Sequence, residues 1–185
     1  SGIAAIRQAE ASGVGATMLR LSDQAETRFY RAFGTLGKKR SFRERFAQLY
    51  LDNRGFDEKA CALIAGFEGE TTAVADARLK FDALARKHGA MALGETQGQR
   101  WKEGRFNGPY LRDPMMDRGV GVDTLETAAS WSRLDTLHVS VRDALESAVR
   151  ETAPRAGGRG IVGCHVSHSY IDGASLYFTC IFPRQ

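Results

Sequence analysis

Two apolar runs of strand length, Ile161 to Ser167 and Ser175 to Phe182, are separated only by the glycine-containing turn SYIDGA. That spacing commits this part of the chain to an antiparallel hairpin. A hairpin is marginal alone and must bury its apolar side against helices or further strands. The upstream sequence supplies both. From Thr71 or Thr72, the apolar residues Val74, Ala77, Phe81, Leu84 and Ala85 recur at three- and four-residue spacing, the stripe of an amphipathic helix. His88 extends the stripe as a helix C-terminal residue and Gly89 ends it. Trp131 to Thr152 reads as a long helix with Leu134, Leu137, Val141, Leu145 and Ala148 on one side.

The other elements follow from similar signals. Ile3 to Ser12 reads as a helix closed by Gly13, and Ala16 to Asp23 as a short strand. Ser22 or Asp23 then caps a second helix that runs through Phe33 and ends at Gly34. Arg43 to Asp52 predicts a third helix. Ala60 to Gly69 predicts a buried strand, with Ala90 to Gly94 as a strand that pairs with it. VGVDTLETAAS, after a long polar segment, predicts a strand running into a loop, and APRAGGRG a loop. The alternation of α and β elements around hairpins predicts an α+β, ferredoxin-like plait. Its sheet would be antiparallel or mixed, with helices covering one face, and it could be duplicated.

Length and charge narrow the function classes. A chain of 185 residues can bury one sizeable core, or form two small subdomains that share one. Its net charge of +4 is too mild for a nucleic-acid footprint. The one basic cluster, Gly37 to Arg45, lacks interleaved aromatics apart from Phe42 and reads as a solvated loop entering a helix. Cys61, Cys164 and Cys180 are odd in number and sit in apolar runs, which predicts buried, reduced thiols and a cytoplasmic protein. No apolar run approaches the roughly 20 residues of a membrane span. A chain that opens at once on a helical pattern and closes just past a buried strand is expected to be a piece of something longer.

Familiar catalytic signatures are absent: there is no GxGxxG, no GxxxxGK[ST] and no GxSxG elbow. His165 and His168, three apart in a strand, should point to opposite faces, which argues against a shared metal. What remains are polar side chains set in or beside apolar runs. Arg20 lies inside MLRLSD, where its guanidinium must find an anion or carbonyls; among carboxylates Asp23, Asp113 or Glu126 could serve. Arg112 sits between GPYL and DP. Thr124, Glu126 and Thr127 cluster in DTLET, with Arg100 and Trp131 as less constrained candidates. Tyr177 stands in a core-like strand, where an aromatic is ordinarily structural.

RLSD, GFD, FEGE, GETQGQRW, YLRD, DTLETAASW and SHSYIDGASLYFT occur here in an order and spacing that resemble one family. It is the C-terminal cap, or substrate, domain of the FAD-linked oxidases of the vanillyl-alcohol-oxidase type, and the resemblance covers nearly the whole chain, residues 1–185. It implies an FAD cofactor held mainly by an N-terminal FAD-binding domain of the same polypeptide. The branch it resembles exchanges an acyl for an alkyl chain on dihydroxyacetone phosphate through a covalent flavin–substrate adduct, a step of ether lipid synthesis. By this resemblance Tyr177 is the proton-abstracting residue, while Arg112, Arg20 and Thr124 bind substrate. Glu126, Thr127, Arg100 and His168 would surround them, and no metal is implied.

The implied partners are that FAD-binding domain and a lipid-like phosphorylated substrate, with a homodimer left open and no nucleic acid. The location is cytoplasmic, or peroxisomal as in eukaryotic members. The family's histidine-rich segment downstream of the tyrosine strand has no counterpart here, and neither His165 nor His168 replaces it. The isolated chain is therefore expected to be inactive. Two other readings stay open. One is the cap of an FAD-dependent D-2-hydroxyacid dehydrogenase or oxidase. The other is a non-catalytic ferredoxin-like ligand-binding module. The main structural expectation is that Arg20 and Arg112 converge on Tyr177.

Overall fold

A computed structural model describes residues 1–35, 42–152 and 159–184. Within them the chain runs α1 (Gly2–Ala11), β1 (Met18–Ser22), α2 (Gln24–Thr35), α3 (Phe42–Asn53), β2 (Leu63–Gly66) and α4 (Thr71–Lys87). It continues with α5 (Thr96–Gly104), α6 (Gly108–Met116), β3 (Val120–Ser130), α7 (Leu134–Thr152), β4 (Ile161–Ser169) and β5 (Gly173–Pro183). The five strands form one sheet in the order β2-β1-β4-β5-β3, and every neighbouring pair is antiparallel. The expected α+β plait with an antiparallel sheet is what forms. β5 slots between β3 and β4, which makes β3–α7–β4 a split crossover.

Alternation along β5 gives the sheet two unlike faces. Ala174, Leu176, Phe178 and Cys180 are buried, while Ser175, Tyr177, Thr179 and Ile181 are only partly covered. The buried side meets α1, α4 and α7 through Ala5, Ile6, Ala9, Phe81, Leu84, Ala85, Leu134 and Val149. Phe178, fully buried, lies at the centre; shielding a phenyl ring that size is worth roughly 2–3 kcal/mol. The second face is covered only in part, by α2 over β4 and by α5 against β2. Helices thus shield one face over the central strands, leaving Asp123 and Leu125 of the β3 edge exposed on it, and leave a polar strip of the other face open.

Several details depart from the sequence reading. Ala90–Gly94 forms no strand, because α4 ends in a His88 cap with Gly89 at φ +83° and the chain turns away from the sheet. β2 is shorter than Ala60 to Gly69 and half-buried, since it is an edge strand. The polar segment after Gly94 folds into α5 and α6, and VGVDTLETAAS is strand throughout, paired to β5 along its whole length. Cys61 is exposed, whereas Cys164 and Cys180 are buried as expected. Trp131 precedes α7 and pins the hairpin turn, its Nε1 donating to the carbonyls of Tyr170 and Ile171 at 3.1 and 3.0 Å. The expected APRAGGRG loop at 153–158, and the basic cluster at 37–41, lie outside the described residues.

Candidate functional site

The strand register builds a polar row across the open face. Glu126 of β3 stands opposite Tyr177 of β5, Tyr177 opposite His165 of β4, and His165 opposite Ser22 of β1. The His165 and Tyr177 rings stack with centroids 5.1 Å apart and planes 29° from parallel. Arg20, two residues from Ser22 on the same face, reaches back to the row. Its Nη1 donates to His165 Nε2 at 2.6 Å and its Nη2 to Glu26 Oε1 at 3.0 Å. His165 Nδ1 donates to the same Glu26 oxygen at 2.8 Å.

This closed triangle settles the histidine's tautomer. A guanidinium has no acceptor, so Nε2 must carry the lone pair and Nδ1 the hydrogen. All three side chains are withdrawn from water, with 15% of Arg20, 8% of His165 and 4% of Glu26 exposed.

Local sequence explains why Glu26 faces the sheet. Asp23 is the N-cap of α2, its Oδ1 accepting from the Glu26 N–H at 2.7 Å. In the usual capping box the acidic residue three places on folds back onto the cap's own N–H. Here that N–H is already taken by the Cys164 carbonyl at 2.7 Å, which leaves the Glu26 side chain free to turn inward. Gly163 then lets α2 come close, since a Cβ there would sit 3.0 Å from Glu26 Cβ and 3.1 Å from its Cα. Burial works to raise the Asp23 carboxyl, but the His138 hydrogen bond and the backbone N–H of Glu26 outweigh it and hold the group below its ordinary value.

Two further aromatics border the cluster. Tyr30, one turn beyond Glu26 on α2, has its phenol pushed up by burial and by the Glu26 carboxylate, with Arg20 opposing. Trp101 of α5 lies under Arg20, 6.0 Å from guanidinium carbon to ring centroid, and Arg105 approaches the same ring at 5.8 Å.

Of the residues singled out from sequence, Arg20 and Tyr177 come together, joined through His165. Glu126 pairs with Tyr177 in the register and accepts from Ser167 Oγ at 2.7 Å. Thr124 is on the same face, two residues further along β3 and opposite Thr179. Thr127 pairs with Leu176 and so faces the other side. Arg112 and Arg100 are exposed on α6 and α5, and among the described residues no hydrogen bond or ion pair links either to the cluster.

Two readings need correction. The partner of Arg20 is Glu26, not Asp23, Asp113 or Glu126. His168 does not point away from His165: a bulge between Val166 and His168 sets His168 opposite Ser175, on the Tyr177 face. No group of three metal-ligating side chains forms among the described residues. Sequence reasoning missed Glu26, His165, Tyr30 and Trp101. The available signal was DQAE, a capping-box spacing directly after the strand that carries the buried arginine.

Comparison with known proteins places this geometry. The family described as FAD linked oxidases, C-terminal domain, matches residues 1–185. The alkyldihydroxyacetonephosphate synthase of Dictyostelium discoideum is 34% identical over 179 residues, covering 95% of this chain and 29% of its own length. That of Trypanosoma brucei brucei is 28% identical over 172 residues, covering 91% of this chain and 27% of its own. A solved structure of an alkyldihydroxyacetonephosphate synthase superimposes with a TM-score of 0.77 at 30% identity, over 99% of this chain and 33% of that one. The chain spans about a third of these relatives or less.

Proposed function

The chain belongs to the family of FAD linked oxidase C-terminal domains, and from that premise we propose that residues 1–185 form the substrate-binding cap of a flavoenzyme of the alkyldihydroxyacetonephosphate synthase kind. Its reaction would exchange the acyl chain of an acyl-dihydroxyacetone phosphate for an alkyl chain. The observation that supports this reading is that Tyr177, on the open face of the sheet, stacks on the His165 ring that holds a buried, oriented Arg20.

That face suits a flat cofactor. Tyr177, Ser175 and Thr179 present hydroxyl groups along one strand, with Arg20 two strands away and joined to Tyr177 through His165. The chain has no glycine-rich phosphate cradle, so FAD would be bound mainly by another domain of the same polypeptide. The flavin would supply an electron-accepting ring for the reacting carbon. Tyr177 would receive the substrate's proton at its phenol oxygen. Arg20 supplies fixed positive charge, its fork held by Glu26 and His165. Arg112, exposed on α6 and with no hydrogen bond or ion pair from its side chain among the described residues, is available to clamp a phosphate as substrate arrives. Thr124 and Glu126 extend the polar strip along which a headgroup can lie.

The test is the visible spectrum of the flavoprotein that carries this chain, with palmitoyl-dihydroxyacetone phosphate added under air. Bleaching of the oxidised-flavin band without oxygen consumption supports the exchange reaction. Tyr177→Phe should lower its rate by about 10²–10⁴-fold. Bleaching by D-lactate or a related hydroxy acid would replace this reading with the dehydrogenase one. A colourless, unresponsive protein would favour a binding module.

A further inference from the structure

The Arg20–Glu26–His165 triangle is costly as a means of stabilising the fold. Burying an ion pair loses hydration that apolar residues of the same size would not lose. Glu26 Oε2 is buried with no hydrogen-bond partner, the only such side-chain atom among the described residues, and an orphaned carboxylate oxygen adds a further penalty. A fold needing only a well-packed β1–β4–α2 junction would fill these positions with apolar side chains. What the triangle provides instead is orientation. His165 is bound at both ring nitrogens, so its imidazole cannot flip. Tyr177 stacks on that fixed plane from the facing strand.

We infer that His165, locked as the Nδ1–H tautomer between Glu26 and Arg20, is a positioning residue that sets the plane of the Tyr177 ring and the direction of the Arg20 guanidinium. The inference rests on the Tyr177 reading of the preceding subsection for its catalytic consequence, but not for its geometry. Displacing a reacting group by about 1 Å can cost on the order of 10²-fold in rate. The expected effect is therefore on turnover rather than on substrate affinity.

The experiment uses the flavoprotein, with histidine labelled in ¹⁵N and tyrosine ring carbons in ¹³C. In the unmodified protein, His165 should show a protonated Nδ1 and an unprotonated Nε2, and the Tyr177 ring should flip slowly. His165→Asn keeps a donor to Glu26 but removes the acceptor facing Arg20. Its kcat should fall roughly 10- to 100-fold with KM changed less than about threefold, and ring flipping should quicken. His165→Gln places an amide oxygen near the former Nε2 and so restores the acceptor for Arg20 but not the ring stack; it should recover only part of the lost kcat and leave the Tyr177 ring flipping quickly.

An Nε2–H tautomer in the unmodified protein overturns the proposal. So does a His165→Asn enzyme of unchanged kcat, or one whose loss only tracks the fraction of protein folded. If His165→Asn fails to fold, the tautomer and the flip rate in the unmodified protein decide the matter alone. Tyr177→Phe separates the two failures. Full activity in that variant defeats the catalytic reading of Tyr177 while leaving the imidazole lock to be judged by its spectra. An inactive Tyr177→Phe beside a fully active His165→Asn defeats the lock alone.

Discussion

Glu26 and His165 lie 139 positions apart in sequence, yet Oε1 of one accepts from Nδ1 of the other at 2.8 Å. This bond joins the first turn of α2 to the middle of β4, and it exists because three local facts coincide. Asp23 caps α2, the Cys164 carbonyl takes the cap's N–H, and Gly163 leaves room for the helix. Arg20 then closes the triangle from β1. The junction between the early and late parts of the sheet is thus held by a polar knot as well as by the apolar core beneath it.

Glu26→Ala should destabilise the fold by about 3–5 kcal/mol, because it strands a buried guanidinium without its carboxylate. Glu26→Gln retains an acceptor for both donors and should cost less, roughly 1–2 kcal/mol. Urea unfolding with an unchanged m-value would measure both. A loss below about 0.5 kcal/mol for Glu26→Ala would mean that the pair is not sequestered as described.

Gly163→Ala is expected to push α2 off the sheet. The added methyl meets the Glu26 backbone, which cannot rotate aside as a side-chain tip could. Overpacking of this kind costs about 1–3 kcal/mol. The distinguishing sign is a crystal structure or amide-exchange map in which residues 24–30 shift or open while β3 and β5 stay intact. A variant with native stability and unmoved α2 would show that the close approach is not tight.

The core was readable from sequence because it obeys periodicity. The stripes of α4 and α7 and the alternation in β5 announce themselves through Phe81, Leu84, Leu134, Leu176 and Phe178. The site was half readable. Arg20 is conspicuous among leucines, and Tyr177 stood out through resemblance. Glu26 was hidden because DQAE alone reads as a capping box that turns the side chain back onto its own helix, and the surface-like QAETRFYRAFGT does not show that its first turn lies against a sheet. His165 was set aside by a parity argument that assumed a regular strand, and a bulge at residue 167 is not encoded in hydrophobic pattern. Ala90–Gly94 misled for the opposite reason. Five apolar-rich residues suffice for a strand, but the turn at His88 and Gly89 leads this segment into α5 and leaves β2 as the edge of the sheet.

Asp23 predicts a specific acid response. Its carboxyl is held below the ordinary 3.8, so the folded state binds a proton less readily than the unfolded one, whose value is near ~3.9. The stability it contributes is present above that value and disappears as pH falls through the folded value. Asp23→Asn keeps a capping oxygen but loses the charge. It should be less stable than the native protein by about 1 kcal/mol at pH 7. That gap should close below about pH 4. Thermal unfolding of both proteins between pH 3 and 7 measures it, and a gap that persists or widens in acid would contradict the assignment.

Thiol chemistry gives the last prediction. Cys164 is buried between the sheet and the core helices, and burial, followed by the charges of Asp23 and Glu26, pushes its thiol far above the ordinary range. Cys180 is raised too, by burial and by Asp123. Cys61 is exposed, though partial burial and Asp23 raise it as well. Reaction requires the thiolate and access together. In the native protein at pH 7.5 a disulfide reagent should therefore modify one thiol, Cys61, more slowly than a free cysteine. The other two should react only at the rate of unfolding, and all three at once in urea. Mass mapping of the labelled peptides identifies the site. Rapid native labelling of Cys164 would mean that β4 opens locally, and with it the strand that carries His165.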